Sequence, residues 1–236
     1  MTYAKSKTKF NTLNTFNNVV LDITFDLETC ALCPTAAVMS IAAVAWHRTA
    51  DATPFIGDER FSFRANIDLK SAFVDGFTFD ADTARWWRRQ SEEAKRHLFA
   101  SGKQEHLRDA VERFIQWIVT TARLTGADEV CLWAQGADYD PAILRYVCYI
   151  YGIDFNKAAH IPYTHVRDHR TFFLEGAYLL CQSMGVEYRE ADAYDLVDRY
   201  EGAGCPHDPV YDCKRSIYST WQMMKHLRCL NINLKV

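Results

Sequence analysis

Apolar and polar positions along the chain fall into short, distinct blocks. After the polar stretch MTYAKSKTKFNTLNTFNN, the run VVLDITFDLET reads as a buried β-strand over residues 19–26. AAVMSIAAVAW, Ala36–Trp46, predicts a second strand, and FSFRA, from Phe61, alternates like a half-exposed third. Asp80 opens DADTARWWRRQSEEAKRHL, whose acids come first and bases later, an order that suits the helix dipole and predicts one helix. Gln104–Thr121 repeats the helical period, with Leu107, Val111, Phe114, Ile115 and Ile118 on one stripe. Glu129–Trp133 is another short apolar strand. Tyr139–Tyr151 reads as a helix with Pro141 in its first turn, and Thr171–Met184 and Asp208–Leu227 as two later helices. Three strands in succession, then helices with isolated strands between them, predict an α/β fold: a mixed central sheet flanked by helices. No internal repeat or low-complexity linker divides the chain. The expectation is one domain over 19–236, preceded by a poorly ordered lead-in over 1–18.

Composition narrows the classes without choosing among them. The chain has 236 residues, 49% of them hydrophobic and 24% charged, which is enough to bury a sizeable core and too apolar for a disordered protein. No apolar run approaches a membrane span, and the basic N-terminus lacks the apolar segment of a secretory signal, so a soluble, cytoplasmic protein with no membrane partner is expected. A net charge of −3 argues against gripping long nucleic acid by phosphate neutralisation alone. It leaves room for an enzyme that holds a strand end in a small, metal-bearing pocket. The eight cysteines fit free thiols better than a disulfide scaffold. Cys30 and Cys33, and Cys205 with His207, could be zinc or redox pairs, but a lone CxxC is a weak signal and plain buried or loop thiols are the favoured reading.

The chemistry gathers around carboxylates. Asp26 and Glu28 stand at i and i+2 on the first strand, so they share one face while Leu27 takes the other. Two like charges about 5 Å apart repel by about 3 kcal/mol at an effective dielectric of 20, a cost that a cation between them would remove. Asp138 and Asp140 follow the strand EVCLW, and His207, Asp208 and Asp212 lie in a loop running into the last helix. Strand ends and helix starts of an α/β sheet converge on one edge, where ligands sit. Hard oxygen donors suit Mg²⁺ or Mn²⁺, and a pair of such ions would stabilise the attacking and leaving oxygens of a phosphodiester. A histidine near them could deprotonate water. Taken singly, Asp138 or Asp208 could be a helix cap and His207 a surface loop residue.

Together the motifs resemble the DEDDh 3′–5′ exonucleases of the ribonuclease H-like fold. Asp26-Leu27-Glu28-Thr29 is similar to that family's Asp-x-Glu-Thr, Gly136-Ala137-Asp138-Tyr139-Asp140 to the segment ending in Phe-Asp, and His207-x4-Asp212 to the His form of its last motif. The likeness runs from about residue 19 to about residue 225. DLETCALCPTAAVMSIAAV, DTARWWRRQSEEA and RDHRTF further resemble the subfamily of T-even phage exonuclease A and the mycobacterial 3′–5′ exoribonuclease-like proteins, which suggests a bacterial or phage-infected host cell. The resemblance implies a metal-dependent 3′–5′ exonuclease with two Mg²⁺ or Mn²⁺ ions per site. Asp26, Glu28 and Asp212 would hold the ion that activates water, Asp26 and Asp140 the second ion, and His207 would be the general base. Leu27 and Thr29 would line the pocket for the terminal nucleotide. The implied partner is a nucleic acid with a free 3′ end, single-stranded DNA or RNA, and family members include homodimers.

Other residues keep two readings each. Trp86 and Trp87, among Arg85, Arg88 and Arg89, could stack on bases or pack the helix onto the core; neighbours on a helix point about 100° apart and need not share a role. Asp168 could belong to the site or organise RDHRTF, Arg167 and Arg170 could meet phosphate or acids, and Lys214 and Arg215 could balance the acidic pocket. The competing functions are a phosphodiesterase of very short oligonucleotides, a catalytically idle nucleic-acid-binding module, and a zinc- or thiol-based regulator.

Overall fold

The alternation along the first strand sets the architecture, because both of its faces are covered. The computed structural model describes residues 18–99, 103–136 and 138–230. Strand β1 (Val20–Thr29) turns Leu21, Ile23, Phe25 and Leu27 into the main hydrophobic core, and Asp22, Thr24, Asp26 and Glu28 to the opposite face. It pairs antiparallel with β2 (Val38–Trp46), which pairs antiparallel with β3 (Ser62–Ile67). Three short helices follow, α1 (Leu69–Val74), α2 (Ala81–Arg88) and α3 (Glu92–Phe99). The two-residue β4 (Gln104–Glu105) then runs parallel along the outer edge of β3. Helix α4 (Leu107–Thr125) buries its predicted stripe, Leu107, Val111, Phe114, Ile115 and Ile118, against the core face.

The chain returns as β5 (Glu129–Ala134), parallel to β1 on its free edge. Helix α5 (Asp140–Ile150), the short α6 (Phe155–Ala158), and β6 (Val166–Asp168), parallel to β5, come next, and α7 (His169–Met184) and α8 (Pro209–Leu230) complete the fold. The strand order is β4-β3-β2-β1-β5-β6, a mixed six-stranded sheet with α4 and α5 on one face and α8 on the other. This is the fold class expected from the element pattern. No described helix is long and apolar enough to cross a membrane.

Two local differences have physical causes. The helix expected over DADTARWWRRQSEEAKRHL is two helices, because Ser91 interrupts it: its hydroxyl accepts the Ala94 N–H at 3.1 Å and starts α3 afresh. Gln104 and Glu105 are strand rather than helix, drawn to the open edge of β3. The short α1, α6 and β6 were not expected. Apart from Asn18, the predicted lead-in lies outside the described residues.

Two features hold α7 and α8 against the polar face of β1. Gly176 lets the helices approach, since a Cβ there would stand 2.7 Å from Met223 Cγ. His169, buried at the start of α7, bridges Thr24 Oγ1 at 2.8 Å and Thr220 Oγ1 at 2.7 Å, with Trp46 and Trp133 against its ring. Burial pushes its pKa down to about 3, so it is neutral in the fold. The unfolded chain protonates a histidine near pH 6.5, so this contribution is complete above that pH and is lost as pH falls toward 3. The stability advantage of wild type over a His169→Gln variant is expected to shrink by up to about 1.4 kcal/mol per pH unit below 6.5. Urea melts at pH 7.5 and 5 check it; a constant gap would show that the imidazole is not held neutral.

Candidate active site

β1 outruns its parallel neighbour. Its pairing with β5 stops at Thr24, opposite Trp133, whereas its pairing with β2 continues to Thr29. Asp26 and Glu28 therefore stand at the open, carboxyl-terminal end of the strand, where ligands sit in α/β sheets. The Leu27 N–H, past the end of β5, faces the carboxylate of Asp140, the first residue of α5, and favours its ionised form. Asp140 is buried, and its Oδ1 has no hydrogen-bond partner among the described residues. Asp212 enters from the first turn of α8: Oδ2 accepts the His207 backbone N–H at 2.8 Å, and Oδ1 lies 3.0 Å from the Arg215 guanidinium. Donor atoms of Glu28, His207 and Asp212 lie within 4.8 Å of one another.

The loop before α8 is held at several points. His207 adopts φ 68°, a left-handed backbone that side-chain-bearing residues seldom take. Its ring stands nearly perpendicular to that of Trp86 at a centroid distance of 4.8 Å. Asp208 accepts the Val210 N–H at 3.0 Å, pairs with Arg64 of β3, and lies 3.4 Å from His97 Nδ1 of α3. Of its two readings, the helix cap is the one seen. Asp138 is exposed, and α5 begins two residues later without a side-chain cap. Asp168 organises RDHRTF: it caps α7 through the Arg170 N–H and also accepts the Gly136 N–H at 3.1 Å, fixing the loop that leads to Asp140. Arg167 turns back onto the carbonyls of Thr164 and Val166.

Burial raises the pKa of all four acids, and for Asp26 and Glu28 their neighbours raise it further. Burial lifts Asp26 well above the usual carboxylate range, and Asp140, Glu28 and Asp212 add to it; some of the Asp26 surface reaches solvent, but its carboxylate is recessed. Glu28 is raised by burial and then by Asp212 and Asp140. Burial raises Asp140, with the Leu27 N–H opposing, and raises Asp212, with Arg215 opposing. Four recessed carboxyls whose ionisation is held back, an unsatisfied buried oxygen and an all-oxygen set beside one histidine fit a hard divalent cation.

A cavity of about 830 Å³ adjoins the acids, with Leu27, Glu28, Thr29, Trp86, Arg89 and Tyr139 among its walls. Thr29 is buried, its hydroxyl 2.5 Å from the Tyr139 hydroxyl and donating to Ala31 O at 2.9 Å. The paired tryptophans divide their roles as helical geometry allows. Trp87 is buried and donates to Thr29 O at 3.0 Å, while Trp86 is 42% exposed and faces the cavity. Sequence reasoning missed Arg64, His97 and the Trp86–His207 contact, because nothing local marks partners far apart in the chain. The described cysteines are free. Cys205 neighbours Glu93 and His97, with donor atoms within 4.8 Å, rather than His207.

Against known families, residues 21–218 match the model described as the 3′–5′ exoribonuclease Rv2179c-like domain. No curated protein matches the chain significantly. Among solved structures, the chain is similar to the nuclease domain of 3′hExo, described as a DEDDh family member bound to rAMP. That likeness has 12% identity and a TM-score of 0.48 over 87% of this chain and 92% of that one.

Proposed function

The chain belongs to the Rv2179c-like 3′–5′ exoribonuclease domain family and is a 3′–5′ exonuclease, and on that premise we propose that it trims single-stranded RNA, or DNA, with Mg²⁺ or Mn²⁺ held two to a site. The observation that carries this reading is the meeting of Asp26, Glu28, Asp140 and Asp212, from three separate elements, beside His207 and a nucleotide-sized cavity. The four acids would hold the ions, which when bound supply Lewis-acid activation of water and offset charge on the leaving oxygen.

The residues of the chain do the rest. His207 takes a proton from the attacking water as its oxygen bonds to phosphorus. The bond from phosphorus to the 3′ oxygen of the preceding nucleotide breaks, that oxygen is protonated, and a nucleoside 5′-monophosphate leaves. Leu27 and Thr29 wall the pocket for the terminal nucleoside, and the exposed face of Trp86 offers its base a stacking surface. The contact with Trp86 also steadies the His207 ring.

The test uses matched 5′-labelled RNA and DNA oligonucleotides with Mn²⁺, Mg²⁺ or EDTA. A ladder shortening from the 3′ end, present with metal and lost with EDTA, is expected, with RNA the faster substrate. No shortening of either polymer in either metal would sink the reading.

A further inference from the structure

A second cavity, of about 630 Å³, opens between the start of α7, the exposed side of α8 and the 194–200 segment, and it shares no wall residue with the first. Glu28 lines the first cavity, and Arg215, the ion-pair partner of Asp212, lines the second. Arg170, Arg199 and Arg215 reach this second cavity, against one carboxylate, Asp198. Arg215 is engaged by Asp212, but the guanidinium groups of Arg170 and Arg199 are exposed and have no hydrogen-bond or ion-pair partner among the described residues. In a chain of net charge −3, that is a local cationic cleft.

Tyr194 adds a second kind of contact. One face of its ring stacks on Phe173 at a centroid distance of 4.3 Å and 9°, and the residue is still 44% exposed, so its other face is presented to the cleft. Two uncompensated guanidiniums beside a fixed aromatic face are the elements with which proteins hold single-stranded nucleic acid without reading its sequence. A strand whose terminal nucleoside fills the first cavity, and whose scissile phosphate lies over the acids, has to continue away from Leu27 and Thr29. The cleft beyond Asp212 offers it a cationic path.

We propose that this cleft holds the strand upstream of the scissile phosphate, with Arg170 and Arg199 on internal phosphates and Tyr194 stacked against a base. The assignment rests on the exonuclease reading of the acid site and deepens it: the substrate is a strand of several nucleotides, gripped behind its end.

The experiment compares wild type with the Arg170→Ala/Arg199→Ala double variant on a dinucleotide and an octanucleotide of the same 3′ sequence, with Mn²⁺. KM for the octanucleotide is expected to rise at least tenfold and KM for the dinucleotide less than twofold. The slope of log affinity against log salt for the octanucleotide should become shallower by about 1.4, the value for two lost phosphate contacts on a single strand. An Arg170→Lys/Arg199→Lys variant, which keeps both charges, should recover most of the affinity. An unchanged octanucleotide KM, or an equal rise on both lengths, would overturn the assignment. If wild type cleaved neither length, the exonuclease reading itself would fall, and the assignment with it.

Discussion

Replacing Asp140 with asparagine is expected to reduce turnover with Mg²⁺ or Mn²⁺ by at least about 10³-fold, and to raise the melting temperature of the metal-free protein at pH 8. A metal site contributes several kcal/mol of transition-state charge stabilisation, and about 4 kcal/mol corresponds to three orders of magnitude. Asparagine keeps a carbonyl oxygen to face the Leu27 N–H and removes the charge. That charge is one of those pressing on Asp26 and Glu28.

The pH dependence fixes the sign. The folded pKa values of these carboxyls are raised, so the fold favours their protonated forms. Their contribution is complete below the unfolded values near 4 and is lost as pH climbs through the raised folded values. Wild type without metal should therefore lose stability from about pH 4 into the alkaline range. The advantage of Asp140→Asn should be small at pH 5 and amount to about 1–2 kcal/mol at pH 8, or roughly 2–8 °C for a chain of this size. Added Mn²⁺ should reverse the order, because only wild type retains the full ligand set. Thermal melts in EDTA and in Mn²⁺ at the two pH values test this; a variant less stable than wild type at pH 8 in EDTA would show that burying the Asp140 charge beside its neighbours is not the dominant cost.

Removing the His207 imidazole is expected to cost about 10²- to 10⁴-fold in rate, the usual contribution of a positioned general base. The choice of replacement carries separate information, because the backbone at this position is left-handed, with φ 68°. A residue with a Cβ is strained there by roughly 1–2 kcal/mol, and glycine is not. His207→Gly should therefore be the more stable of the two truncations, by about 1 kcal/mol over His207→Ala, with both equally impaired in turnover. Denaturant melts and single-turnover rates on one RNA substrate check the pair. If alanine proved the more stable, the loop would not be held in the conformation described. If either retained wild-type turnover, the base would have to be sought elsewhere.

The parts of the site that could be read in the chain are those with a local signature. Asp26 and Glu28 stand out because strand alternation puts two acids on one face of an otherwise apolar run, whereas Asp140 and Asp212 are separated from Asp138 and Asp208 beside them only by the family motifs. The α4 stripe and the three leading strands follow from periodicity alone. What could not be read is what depends on closure. Arg64 looks like an ordinary polar position on a half-exposed strand until Asp208, 144 residues later, comes to lie beside it. Trp86 and Trp87 are indistinguishable in sequence, and only the seating of α2 decides that one packs beneath Thr29 while the other faces His207. Ser91 breaks a charge pattern that is continuous on paper, because a hydroxyl before EEA competes as a cap. Asp168 sits within a basic motif that suggests phosphate binding, yet its oxygens are taken by α7 and Gly136.

The polar face of β1 beneath the acids has a bearing on solvent access. Asp22 is fully buried, paired with Arg48 and accepting from Trp133 Nε1 at 2.7 Å; Thr24 is closed over by Trp46 and His169, and Cys213 and Ile217 of α8 complete the layer. Asp22 and Thr24 thus each have protein partners, and among the described residues the layer beneath Asp26 is built of side chains bonded to one another. The acids are approached instead from the open, carboxyl-terminal end of β1, where the first cavity meets Glu28. A strand end bound there would cover the Glu28 carboxylate from the side on which the first cavity leaves it open.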